Sequence, residues 1–209
     1  MFIPLVDMLR CVRPHEETWL VASIDRAEDR DIIEGTLGCP SCLAEYPIHD
    51  GVVQFEPRVA RPDYRRPLED DVVRLAAALD LVDPRSTAVL QGAWGAYAPM
   101  IRGLSPVPLL LVNPPEGITS GDGISIVLCP VAPIAAASAN AVAVDAGADG
   151  AMLASLIRCL RGGGRMVGPA SMALPQDLVE LARDHELWVA RRDAATIVSA
   201  PILPTRRSR

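Results

Sequence analysis

Apolar residues recur along this chain at two different spacings, and the change comes near residue 57. Over residues 18–24 (TWLVASI) apolar and polar positions alternate, the period-two signature of a strand. Over residues 68–81, Leu68, Val72, Leu75 and Leu79 fall at helical spacing with Pro84 just beyond, which predicts a helix. Short apolar runs then alternate with helical patterns. Strands are predicted at 87–91, 108–112, 124–128, 141–145 and 165–168. Helices are predicted near 96–103 and at 133–138, 151–161 and 175–184, with a turn at Gly162, Gly163 and Gly164. Two last runs, 187–191 and 195–200, are close enough to pair as a hairpin. Strands alternating with helices imply an α/β fold with a mostly parallel sheet covered on both faces. One connection is too short for the rhythm. Eleven residues (NPPEGITSGDG) separate Val112 from Ile124, where a parallel crossover normally needs about a dozen with its helix, so that helix is expected to be lost or reduced.

The pattern divides the chain into a small β-rich unit at 1–56, a linker at 57–67, an α/β domain at 68–203 and a basic tail at 204–209. The stretch 56–67 (EPRVARPDYRRP) carries three prolines and four arginines with little apolar periodicity. Its arginines could meet RNA or an acidic partner, or be simply solvated.

The chain has 209 residues and a formal net charge of −6, with half its residues hydrophobic, a composition suited to a packed globular protein. All 20 basic residues are arginine. Without lysine there is no Schiff base and no G-x-x-x-x-G-K-[ST] phosphate loop. The negative balance makes nucleic acid an unfavoured partner. The longest apolar stretch, 124–137, is broken by Pro130 and Pro133 and is shorter than a membrane span. With no leader pattern at the start, the expected location is cytoplasmic.

Cys11, His15, Cys39 and Cys42 form C-x3-H, a long gap and C-x2-C, a set that can bring four ligands to one tetrahedral zinc ion. Four protein ligands close the site, so the zinc would be structural. The competing reading makes Cys11 a small buried hydrophobe and His15 a surface residue; His49 is a weaker candidate ligand. The runs 5–11 (LVDMLRC) and 38–55 (GCPSCLAEYPIHDGVVQF) resemble the zinc-ribbon domain of the tRNA-methyltransferase activator family, over about the first quarter of the chain. The resemblance implies a metal knuckle on a ribbon of strands, with a protein partner or a homo-oligomer formed through it. The family commonly has C-x2-C where this chain offers His15.

Residues 89–98 (VLQGAWGAYA) follow a strand and open a helix, where α/β folds bind nucleotide-like ligands. Residues 70–200 are similar to class I S-adenosylmethionine-dependent methyltransferases, most clearly at 155–167 (SLIRCLRGGGRMV). The resemblance implies a Rossmann-like methyltransferase sheet with a terminal β-hairpin, preceded here by the small zinc ribbon. It also implies a cofactor over Gln91, Gly92, Ala93, Trp94 and Gly95, with ribose at Asn113 and adenine near Cys129. Asp145 would lie on the substrate side, or serve as a loop or capping aspartate. The chain departs from the family's acidic-x-G-x-G-x-G loop. Gly95 is the one motif glycine kept, Ala93 and Tyr97 replace the others, and Gln91, Asn113 and Asn140 stand where carboxylates are usual. Trp94 and Tyr97 could stack on a planar ligand or fill the core. Asn113-Pro114-Pro115 looks like an amino-methyltransferase motif, but it follows the second strand instead of the fourth. Two functions follow: a methyltransferase with a diverged cofactor loop and unknown acceptor, or a noncatalytic methyltransferase-shaped scaffold that recruits a partner.

Overall fold

A single eleven-stranded sheet runs through residues 1–194, the part of the chain that the computed structural model describes. The expected strand at 195–200 and the tail at 204–209 lie outside the described residues. Four strands, β1 (Val21–Glu28), β2 (Asp31–Gly38), β3 (Glu45–His49) and β4 (Val52–Gln54), form an antiparallel meander. The parallel centre contains β5 (Ala88–Gln91), β6 (Leu109–Val112), β7 (Ile124–Leu128), β8 (Ala139–Ala143) and β9 (Leu160–Pro169). A hairpin of β10 (Leu178–Arg183) and β11 (Leu187–Arg192) ends it, with β11 antiparallel to β9. The spatial order is β1-β2-β3-β4-β7-β6-β5-β8-β9-β11-β10. Counted from β5, the central strands run 3-2-1-4-5, the order of a doubly wound Rossmann-like sheet.

β4 pairs in parallel with β7, matching Val52, Val53 and Gln54 to Ile126, Val127 and Leu128. The sheet therefore runs unbroken across the linker that divides the sequence. One core continues with it: Leu5 of the short helix α1 (Ile3–Val6), Leu9, Tyr46, Ile48 and Val53 pack with Val89, Leu110, Val127 and Val142. Alternate residues of the same strands, Leu90, Leu109, Leu111 and Ile126, face the other way onto helices α2 (Glu69–Leu79) and α3 (Ala98–Leu104). Burial on both faces explains why these strands read as continuous apolar runs. Helix α4 (Gly150–Cys159) covers the first face through Met152, Leu156 and Cys159.

Three expectations are corrected. The helix at 133–138 is replaced by a bridge at Ile134 followed by a turn at 136–137, because the N-terminal segment pairs with it: the Arg10 N–H donates to the Pro133 carbonyl and the Ala135 N–H to the Met8 carbonyl, both at 2.8 Å. Residues 175–184 hold strand β10, not a helix, because the backbone of β11 satisfies them and tertiary pairing overrides their helix-favouring composition. The hairpin that the resemblance implied is thus formed one run earlier, at 178–192. The glycines 162–164 lie inside β9 and not in a turn that ends the helix. The short connection after β6 holds no helix. Among the described residues no helix is long and apolar enough to cross a membrane.

Candidate functional site

The strand order reverses between β5 and β8, the place where open α/β sheets leave a crevice at their carboxyl edge. Gln91 ends β5 and Asp145 follows β8. The backbone N–H of Asp145 donates to Gln91 Oε1 at 2.8 Å, and Asp145 Oδ2 accepts the Ala93 N–H at 2.8 Å. Gly92 sits between them with φ +65°, and a Cβ there would lie 2.5 Å from Asp145 Oδ2. Glycine at 92 is thus required twice, by its left-handed backbone and by the carboxylate against it. A 3-10 helix, Gly92–Tyr97, follows at once.

The next strand end is tied just as closely. Asn113, buried and at φ +51°, donates from Nδ2 to the Cys129 carbonyl at 2.8 Å and accepts the Cys129 N–H at 2.9 Å. Its side chain acts as one more rung between β6 and β7. Burial pushes the Cys129 thiol pKa far up, so the sulfur stays protonated and inert. Asn140 lies on β8 toward the opposite edge, where its Oδ1 accepts the Thr87 N–H.

A cavity of about 480 Å³ lies at this edge, within the size range of small-molecule sites. Gln91, Gly92, Asn113, Cys129 and Asp145 line it; Ala93, Trp94 and Gly95 do not. Trp94 turns away and donates its indole N–H to the Val144 carbonyl at 2.9 Å, while Tyr97 packs beside it with ring centroids 5.1 Å apart. Gly95 backs onto Pro114, where a Cβ would meet the proline Cβ at 2.4 Å.

Two parts of the lining were missed in the sequence. The linker residues 58–62 fold over the mouth, and Arg61 donates its Nε to the Pro114 carbonyl at 2.6 Å and a terminal nitrogen to the Pro115 carbonyl at 2.8 Å. Nothing in local spacing announces such a strap. Asp149 and Met152 line the far wall, and Asp149 caps α4 by accepting the Met152 N–H at 2.8 Å. That aspartate was legible as a helix start signal. Asp145 does not cap α4; its carboxylate bonds the Ala93 N–H inside the turn at Gly92–Tyr97.

Among the N-terminal residues the ligand atoms of Cys11, His15, Cys39 and Cys42 all lie within 4.8 Å of one another. The sulfurs of Cys11 and Cys42 are 3.6 Å apart, and Cys39 Sγ is 3.5 Å from His15 Nε2. A zinc tetrahedron with bonds of about 2.0–2.3 Å has edges of roughly 3.3–3.8 Å, so the donor set fits. His15 Nδ1 lies 2.6 Å from the Glu16 carbonyl, which fixes its proton there and leaves Nε2 facing the sulfurs. The Arg13 N–H and the Tyr46 hydroxyl approach Cys11 Sγ at 3.4 and 3.1 Å. His49 is outside the cluster and pairs with Glu34.

No family model and no curated protein matches this chain. Solved structures with similar folds include geranyl diphosphate C-methyltransferase from Streptomyces coelicolor A3(2), at 13% identity over 59% of this chain and 77% of that one, TM-score 0.47. Another is a putative S-adenosyl-L-methionine-dependent methyltransferase from Methanococcus maripaludis, at 10% identity over 60% of this chain and 84% of that one, TM-score 0.44. A third is 1,6-didemethyltoxoflavin-N1-methyltransferase from Burkholderia thailandensis, at 15% identity over 59% of this chain and 77% of that one, TM-score 0.39. The strand order, and not these distant likenesses, defines the fold as Rossmann-like.

Proposed function

We propose that this chain is an S-adenosylmethionine-dependent methyltransferase-like protein with a diverged cofactor loop, whose cofactor site is the cavity at the strand reversal. The observation that carries the reading is that cavity: it opens at the carboxyl ends of β5 and β8, and the bulky rings of Trp94 and Tyr97 lie outside it. The departures in the loop therefore leave the volume free. Asp145 and Asp149 supply carboxylates for the cationic end of the ligand, Arg58 on the strap supplies a counter-charge for its carboxylate, and Met152 gives apolar contact. The bound cofactor would supply an activated methyl group. Its transfer depends chiefly on alignment with the acceptor, so no acid or base residue is required of the chain.

The second reading, a noncatalytic scaffold, is favoured by a different observation. The side chains of Gln91, Asn113 and Asp145 are already bonded to backbone groups of the protein, so each is a weaker partner for a ribose or an amine. In that reading the N-terminal strands recruit a protein partner or a second copy, and β1, which has Val21 and Ile24 exposed, is the outer strand available to them. Calorimetric titration of the full chain with S-adenosylmethionine separates the two. Saturable binding in the micromolar to low-millimolar range supports the first reading, and no saturable heat at millimolar ligand overturns it.

The same proposal gives Cys11, His15, Cys39 and Cys42 one structural zinc ion. It ties the loop after Arg10 to the turn after β2 and leaves no coordination position for substrate.

A further inference from the structure

The turn that carries Gly92 toward the cofactor-edge cavity carries Trp94 and Tyr97 the other way, into a separate cleft of about 200 Å³. Both rings are half-buried and meet at 54°, forming a tilted aromatic corner. Two carboxylate residues, Asp71 on the first turn of α2 and Glu186 in the β10–β11 turn, complete the cleft with Arg74 and Leu187. Arg74 is committed to Asp184 and Glu186 through charged hydrogen bonds. Asp71 and Glu186 thus line the cleft with a single guanidinium, and that guanidinium is already paired with Glu186 and Asp184. Among the described residues Asp71 has no ion-pair partner. The field of the cleft is felt by Tyr97, whose hydroxyl pKa is raised by burial first and then by the negative charges of Asp71 and Glu186.

Aromatic rings lining a cleft beside unbalanced negative charge attract one kind of ligand. Ring quadrupoles present negative potential at their faces, and a large, weakly hydrated cation gives up little hydration to meet them. An anion is repelled by the carboxylates, and a neutral apolar group gains only the ring contact. The geometry points to a binding site for a small alkylated ammonium group, of the quaternary or methylated-amine class, held between the Trp94–Tyr97 corner and Asp71. This site is independent of the cofactor reading, since it shares none of the cavity-lining side chains.

The test uses the full chain at neutral pH with choline and its neutral isostere 3,3-dimethylbutan-1-ol, following the Trp94 indole N–H by NMR. Choline is expected to shift that signal saturably in the millimolar range, while the isostere shifts it weakly or not at all. Asp71→Asn is expected to weaken choline by up to about fivefold, the scale of a partly exposed charge contact, and to leave the isostere unchanged. Tyr97→Leu is expected to abolish the response. Equal responses to choline and the isostere, no saturation with choline, or an Asp71→Asn protein that binds choline as the parent does would each overturn the assignment. Binding of S-adenosylmethionine does not enter the readout, so failure here and failure of the cofactor reading are distinguishable.

Discussion

Gln91 and Asp145 clasp each other across the point where the sheet reverses its order: the amide oxygen of one accepts the backbone N–H of the other at 2.8 Å. The carboxylate of Asp145 then reaches back to the Ala93 N–H. The residue expected on the substrate side thus ties down the loop beside it. Asp145→Ala is expected to lower stability by about 1 kcal/mol through the lost hydrogen bond, and to weaken S-adenosylmethionine by about tenfold if one charged contact is lost with it. Urea unfolding and calorimetry on the same variant check both. A destabilised variant with unchanged ligand affinity would confine Asp145 to the structural role.

The Cys/His cluster, read as a zinc site, gives a second expectation. Purified protein should carry close to one zinc per chain by elemental analysis, and Cys39→Ser should lose it. Chelation should make Cys11 and Cys42 reactive toward a thiol reagent, while Cys129 and Cys159 stay inert; both are fully buried, and burial pushes the Cys159 thiol up to about 12. Metal-free protein with unchanged unfolding would contradict the assignment.

Continuity of the sheet through β4 and β7 makes a prediction about cooperativity. Ile48 is fully buried in the core shared by the N-terminal strands and the parallel centre. Ile48→Ala should cost roughly 2–5 kcal/mol, the usual range for such a truncation. Because the core is shared, unfolding should remain a single transition by circular dichroism and by tryptophan fluorescence. Two separated transitions would show that the N-terminal strands fold independently of the rest.

Acid sensitivity should appear in the last hairpin. Asp184 accepts the N–H groups of Leu187 and Glu186 and bonds Arg74, which together hold its carboxyl at about 2. Its unfolded value is about 3.9. A depressed folded value means that the contribution is complete above the unfolded value and is lost as pH falls from about 4 toward 2. Urea midpoints measured across that window should fall more steeply for the parent than for Asp184→Asn. Parallel curves would remove Asp184 from the account.

Local pattern carried much of this molecule and failed where backbone pairing with another segment took over. The strand at Ile124–Leu128 and the helix over α2 were legible because their apolar spacing matches their burial. The missing crossover helix after Val112 was legible from length alone. Residues 133–138 were misread because the N-terminal segment around Met8–Arg10 pairs with them, and 175–184 because they form a hairpin with the next run, β11; neither choice of partner is contained in a local period. That Cys11, His15, Cys39 and Cys42 come together was legible from their spacing. The strap formed by Arg61 was not, because a bond from a linker guanidinium to two proline carbonyls some 50 residues away leaves no periodic trace.

Hydrogen–deuterium exchange, with and without millimolar S-adenosylhomocysteine, tests the location of the ligand site most directly. The cavity reading predicts slowed exchange in the strap at 58–62, in the loop at 91–93 and around 145–152, with little change in the outer strands β1 and β2. No protection at any of these segments, or protection confined to other parts of the chain, would contradict it.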